Sequence, residues 1–384
     1  MSTSSSTAAL HSSAELSEDE LAESKRYARS ELLCDLADKV IDVAFLAIMA
    51  ILIAPHIRGP MLAWFTNDTV RLAGYFVLTT LLHFAVSSPL SYYSGFVLEH
   101  QYGLSKQTFG NWLSRYFKRI AITMVFMMML FVGLYWVIWL FGSWWWLIGA
   151  MAFFFVNVLV GQLLPVLVLP LFYKVEKLES QDLMDRFRRL SEGTGLAIEG
   201  VYRLDLSSET VKANAMLAGL GSTRRVLLGD TIVNGFTPDE IEVVLAHEVG
   251  HHVHRHTNKM MLAGVLTSAA GFWLCDRVVM AWAQQFEPWI THATLPTFTL
   301  PMMMLVLTLF AMFLEPLQNM ISRYFERQCD WYALQRTGNR AAYISAFRKL
   351  ARLNKDDPDP NPWEVFFFHS HPSISERLSM AERE

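Results

Sequence analysis

The sequence predicts a mostly α-helical chain that threads a membrane about six times and carries a polar domain with a small β-hairpin or sheet. Three observations predict it. Of 384 residues, 53% are hydrophobic and only 18% charged, below the roughly 25% usual in soluble domains. The apolar residues gather in long uncharged runs, and from 120 to 173 there is neither a charge nor a histidine. Between 174 and 236 the composition turns ordinary for a soluble domain, with short strand-like stretches around glycine.

Residues 1–23 are rich in Ser, Thr and Ala and then turn acidic at Glu15, Glu18, Asp19 and Glu20. No basic region leads into an apolar run, so this is a disordered or loosely helical tail and not a signal peptide. A span needs about 20 largely apolar residues. The region 24–173 offers four: 43–57, lengthened if 36–42 joins it; 72–98, interrupted only by His83; and two within 120–173, turning near Gly142 and Ser143. Two more fall in 260–314, namely 260–286 and 288–314, and Asp276 and Arg277 in the former must face protein or water. The 99–119 loop carries Lys106, Arg115, Lys118 and Arg119, the 58–71 loop only Arg58 and Arg71, and 287–299 no Lys or Arg. That bias puts both termini, the 99–119 loop and residues 174–259 on the cytoplasmic side of a multi-pass protein. The membrane is the plasma (inner) membrane in a bacterium or the endoplasmic reticulum in a eukaryote. A net charge of -4 supplies no basic patch for nucleic acid. Cys34, Cys275 and Cys329 form no CxxC pair, which excludes a disulfide framework and a thiolate zinc site and leaves them as small buried side chains.

In the polar region, 183–196 has helical spacing and ends at Gly193-Thr194-Gly195. Strands are expected at 200–204, 214–220 and 225–228, the last two a hairpin turning at Gly221-Ser222-Thr223. Thr237-Pro238-Asp239-Glu240 then starts a helix, with Thr as cap, Pro at the first position and Glu three residues on. On it lie His247, Glu248 and His251. Histidines four apart share a helix face and can reach one metal, and the glutamate beside them can take a proton from water. Because His252, His254 and His256 follow, a metal-binding tract without catalysis is the competing reading. His254 shares the face of His247 one turn further on, a place suited to supporting a ligand or to solvent. The third ligand should be an acid or a histidine from elsewhere. Glu326 is the best candidate, because Asn319, Arg323, Glu326 and Asp330 share one helical face just beyond the last span. A solvated charged face is the alternative there, opposed by Phe325, Trp331 and Tyr332 on the same helix. Asp330 could orient a ligating imidazole.

These residues resemble the type I CAAX prenyl protease family of membrane-embedded zinc metallopeptidases and its bacterial relatives. The matching pieces are FVLEHQYGLSKQT at 96–108, PVLVLPLFYKVEKLE at 165–179, KANA at 212–215, RRVLLGDT at 224–231, HEVGHH at 247–252, NMISRYFERQCD at 319–330 and HPSISERL at 371–378. The resemblance implies a zincin-like metallopeptidase domain made of 174–259 and 315–384, divided by the spans of 260–314. It implies one Zn2+ per chain held by His247, His251 and Glu326, with Glu248 as catalytic acid/base, which is the gluzincin pattern. Asp330 and Arg377 would support the ligands, His371 would stand near the active site, and Asn214 and Ala215 would lie on an edge strand that binds substrate. The chain departs from the family in showing no leading helix like that of eukaryotic members, and in placing Cys329 where a small residue such as Ala is expected.

The activity so implied is endopeptidase hydrolysis of a peptide or protein, lipidated or membrane-associated, at the lipid bilayer. His371 is the candidate second donor to the oxyanion. The competing functions are a quality-control protease for misfolded membrane proteins and a catalytically silent zinc-binding scaffold.

Overall fold

The computed structural model describes residues 15–219 and 224–383, so most of the expected tail and the hairpin turn at 221–223 lie outside the described residues. The first helix, α1 (Glu18–Ile48), continues through a π-helical stretch to His56 and bends by 62° into α2 (Arg58–Trp64). Its start corrects the tail boundary at 23. Ser17 and Glu20 form a reciprocal capping box, and Glu15, Glu20 and Glu23 pair with Arg348, Arg352 and Lys355 near the C-terminus. The acidic run is therefore the capped first turn of a helix, held to the polar domain by charge.

The next helices are α3 (Asp68–Tyr92), extended to Gln101, α4 (Phe109–Phe141) and α5 (Trp145–Leu163). Among the described residues, four helical stretches are long and apolar enough to cross a membrane, five with the bent α1–α2 pair. One of them, Phe109–Leu163, folds back on itself at Gly142, whose φ of 58° favours glycine. Arg115 Nη1 accordingly donates to the Phe172 carbonyl at 2.6 Å. Counting this hairpin as two helices gives six apolar helical stretches among the described residues. Charged groups within them pair: His83 with Asp42 at 2.7 Å, and Lys39 with Glu315 at 2.6 Å. Buried Asp276 accepts from Trp145 Nε1 and meets His292 Nε2, both at 2.7 Å, whereas Arg277 is exposed.

The polar domain begins with β1 (Val175–Lys177), a three-residue strand too short for periodicity to announce, and α6 (Gln181–Ser191). Then come β2 (Gly200–Leu204), β3 (Ala215–Ala218) and β4 (Arg225–Gly229). The sheet order is β1-β2-β4-β3, with β2 and β4 parallel and the other pairs antiparallel, so β3 is an edge. Helix α7 (Pro238–Val253) starts at the Thr237 capping box. After it come α8 (His256–Ala283), α9 (Leu300–Thr337), α10 (Arg340–Asn354), α11 (Pro362–Phe368) and α12 (Ile374–Glu382). The border placed at 314/315 falls inside α9, one 38-residue helix with a membrane half and a polar-domain half. Val226, Leu228, Val243, Leu245, Val249, Tyr343 and Phe347 build the polar domain's core. Leu72, Tyr135, Trp145, Phe298 and Leu300 belong to that of the membrane part. The 99–119 loop packs on the polar domain: Lys106 N donates to the Glu209 carbonyl at 2.7 Å, and Arg115 pairs with Glu209.

Candidate metal centre

Helix α7 buries Ile241, Val243, Leu245, Ala246 and Val249, which fixes its rotation and turns His247, Glu248 and His251 toward α9. Gly250 lets the two helices close: a Cβ there would stand 3.1 Å from Cys329 Cα. Glu326 is thereby brought under both histidines. His247 Nε2 lies 3.2 Å from one of its carboxylate oxygens and His251 Nε2 3.3 Å from the other. Glu326 Oε2 is buried with no donor in hydrogen-bonding geometry. Two imidazole nitrogens converging on a carboxylate whose oxygen is left without a hydrogen bond fit the donor set of a zinc site. Cys329 Sγ is also within 4.8 Å of a nitrogen of each histidine. It is fully buried and lies near His256 Nδ1, at 3.6 Å, so the convergence of both Nε2 atoms favours Glu326 as the third donor.

Asp330 is fully buried behind His247. Its Oδ1 meets His247 Nδ1 at 2.9 Å and accepts from Arg377 Nη2 at 2.5 Å, while Oδ2 accepts from Arg377 Nε at 2.9 Å. Arg377 in turn stacks 3.9 Å above the Phe347 ring. Burial works against a charged His247, but the Asp330 and Glu326 carboxylates beside it outweigh that, and in the metal-free chain its pKa is pushed up to about 9. Burial raises the pKa of Glu248 above its ordinary value, although the Leu217 N–H donates to its Oε2 at 3.0 Å. His371 faces the site, its Nε2 3.7 Å from Glu326 Oε2, and burial lowers its pKa.

Asn214, Ala215, His247, Glu248, Glu326 and His371 line one cavity of about 520 Å³. Leu217, Glu248, His251 and Phe325 line a second, of about 370 Å³. Glu248 borders both. The Asn214 carbonyl accepts from Gly229 N at 2.8 Å, so strand alternation turns the backbone groups of Ala215 and Leu217 to the open edge of β3. His254 stands apart from Glu326, stacking on His256 with ring centroids 5.5 Å apart. The sequence reading missed Leu217, whose contribution is a backbone N–H. It missed Asn354, which holds the start of β3 by accepting from Ala213 N at 2.9 Å. It also missed His256, whose Nδ1 lies 3.1 Å from His251 Nδ1.

Residues 177–384 match the model of peptidase family M48, and residues 4–174 that of the CAAX prenyl protease N-terminal region, described as five membrane helices. The chain belongs to peptidase family M48. Among similar proteins, the Bacillus subtilis YhfN, described as an uncharacterized metalloprotease, is 27% identical over 82% of this chain and 74% of its own length. CAAX prenyl protease 1 of Saccharomyces cerevisiae is 28% identical over 79% of this chain and 70% of its own. The crystal structure of S. mikatae Ste24p superposes with a TM-score of 0.83 at 23% identity, over 96% of this chain and 90% of that one, and so shares the fold. This M48 chain is a multi-pass membrane metalloprotease resembling the CAAX prenyl proteases. Up to residue 174, its described residues form four apolar membrane elements, α1–α2, α3, α4 and α5.

Proposed function

We propose that the chain is a zinc endopeptidase of the gluzincin type, holding one zinc ion per chain with His247, His251 and Glu326. The observation that carries this is the approach of both Nε2 atoms to the Glu326 carboxylate, at 3.2 and 3.3 Å. Zinc, when bound, makes water more acidic and polarises the scissile carbonyl. Glu248 takes the proton of the attacking water and delivers it to the departing amine, and its raised pKa suits both transfers. The His371 ring offers an N–H to the oxyanion, while Asp330 and Arg377 hold His247. An extended substrate backbone adds to the open edge of β3 beside Ala215, a reading supported by Asn214 and Ala215 lining the cavity.

The substrate is a membrane-associated or lipidated peptide, met on the cytoplasmic side. Contacts of the N-terminal helix and of the basic 99–119 loop with the polar domain support that arrangement. Metal analysis with a peptide cleavage assay tests the site. Glu248→Gln should keep about one zinc per chain while hydrolysis falls at least about 10²-fold, and Glu326→Ala should lose the zinc. Full zinc occupancy in Glu326→Ala removes that residue from the site, and normal turnover in Glu248→Gln overturns the mechanism.

A further inference from the structure

A neutral imidazole has one N–H and one free lone pair. It can offer Nε2 to a metal only while Nδ1 keeps the proton, and an acceptor at Nδ1 secures that state. His247 finds its acceptor in Asp330. At His251 the facing atom is another ring nitrogen, His256 Nδ1 at 3.1 Å. Two such nitrogens bond only if one is protonated and the other bare.

Helix α9 decides which. His256 Nε2 lies 2.9 Å from Gln328 Oε1, and Gln328 Nε2 donates to the Tyr324 hydroxyl at 3.2 Å. With the Gln328 amide turned so that its oxygen faces His256 and its NH₂ faces Tyr324, the His256 proton is on Nε2 and its Nδ1 is bare. The other group near that nitrogen is the Cys329 thiol, itself a donor. His251 Nδ1–H must therefore be the donor between the two rings, which leaves the His251 Nε2 lone pair directed at Glu326. The geometry is held firmly. His256 is 3% exposed and stacks on Phe325, with centroids 4.1 Å apart and planes within 10°.

We propose that His256, set by Gln328, is the positioning residue that fixes the metal-binding tautomer of His251. It does with a neutral ring what Asp330 does for His247 with a charge. Helix α9 thus supplies the third ligand and, through Asp330 on one side and Gln328 on the other, orients both histidines. This rests on His251 being a ligand.

The test measures zinc dissociation constants by chelator competition on the full chain in detergent, with peptide cleavage alongside. His256→Phe keeps the stack on Phe325 and removes both nitrogens. It should weaken zinc binding about 10 to 100-fold, with activity recovered at excess zinc and KM unchanged. Gln328→Met, which frees the His256 tautomer, should weaken zinc in the same direction, whereas Gln328→Glu, still an acceptor, should not. The double variant His256→Phe/Gln328→Met should bind zinc no more weakly than His256→Phe alone, because Gln328 acts through His256. His251→Ala separates the two claims. If it loses zinc while His256→Phe binds normally, the relay is wrong and the ligand stands; if it keeps zinc, ligand and relay fall together. Should His256→Phe not fold, equal zinc constants for Gln328→Met and Gln328→Glu overturn the proposal.

Discussion

Asp330→Asn perturbs the centre without changing its shape. The carboxylate accepts three hydrogen bonds, from Arg377 Nε, Arg377 Nη2 and the His247 ring. An amide can keep its oxygen toward His247 and Arg377 Nη2, but it then sets an NH₂ against Arg377 Nε–H, where Oδ2 had accepted at 2.9 Å. The larger effect is charge. With Asp330 neutral, the guanidinium is 8% exposed, and Glu326 Oε2 at 3.8 Å becomes its nearest carboxylate. Removing one member of a buried pair costs about 3–5 kcal/mol, and the retained hydrogen bonds put this case near about 3. Zinc affinity should fall about 10 to 100-fold as His247 loses its strong acceptor.

Arg377→Met on the same background separates the two losses. It removes the stranded cation, so stability should return toward that of the parent while zinc binding stays weak. Chemical denaturation in detergent and chelator competition read the two quantities. The reasoning fails if Asp330→Asn matches the parent in stability, or if the double variant is no more stable than Asp330→Asn.

Other outcomes follow from the same geometry. In the zinc-free chain, the pKa of His247 rises from 6.5 when unfolded to about 9 when folded. That protonation therefore stabilises fully below about pH 6.5 and ceases to do so as pH rises through about 9, a loss of at most about 3 kcal/mol. Denaturation of zinc-stripped protein at the two ends of this window checks it, and a flat profile refutes it. Gly250→Ala sets a methyl 3.1 Å from Cys329 Cα and 3.2 Å from its Sγ. It should cost about 1–3 kcal/mol and weaken zinc binding, and Cys329→Ala should rescue only part, since the Cα remains; unchanged stability shows that the helices can part freely. Reporter fusions after residues 110 and 292 should report opposite sides of the membrane, and the same side for both would undo the topology.

Much of this centre was legible in the sequence because helical spacing is a strong geometric constraint. His247 and His251 had to share a face, and the Asn319 to Asp330 run had to present Glu326 and Asp330 together. What joined the two helices was less legible: a glycine opposite a cysteine carries no periodic signal. His256 was hidden in a histidine tract whose members point in different directions once Arg255, at φ 56°, turns the chain. The Ser17–Glu20 capping box was present to be read, but the composition around it resembled a disordered tail. Leu217 acts through its backbone, which no side-chain pattern reports.

Helix α9 makes the bilayer a mechanical neighbour of the chemistry. Its apolar half lies among the spans, and Glu326 stands twelve residues beyond Leu314 on the same helix, past Pro316, a reach of about 18 Å. A tilt of the span by about 5° would swing that carboxylate through about 1.6 Å over such a reach, enough to take a ligand out of bonding range. Bilayers of different thickness impose different tilts. Zinc titrations in thin and thick bilayers should therefore give different constants for one and the same chain, and equal constants would show that the helix does not carry the tilt past Pro316.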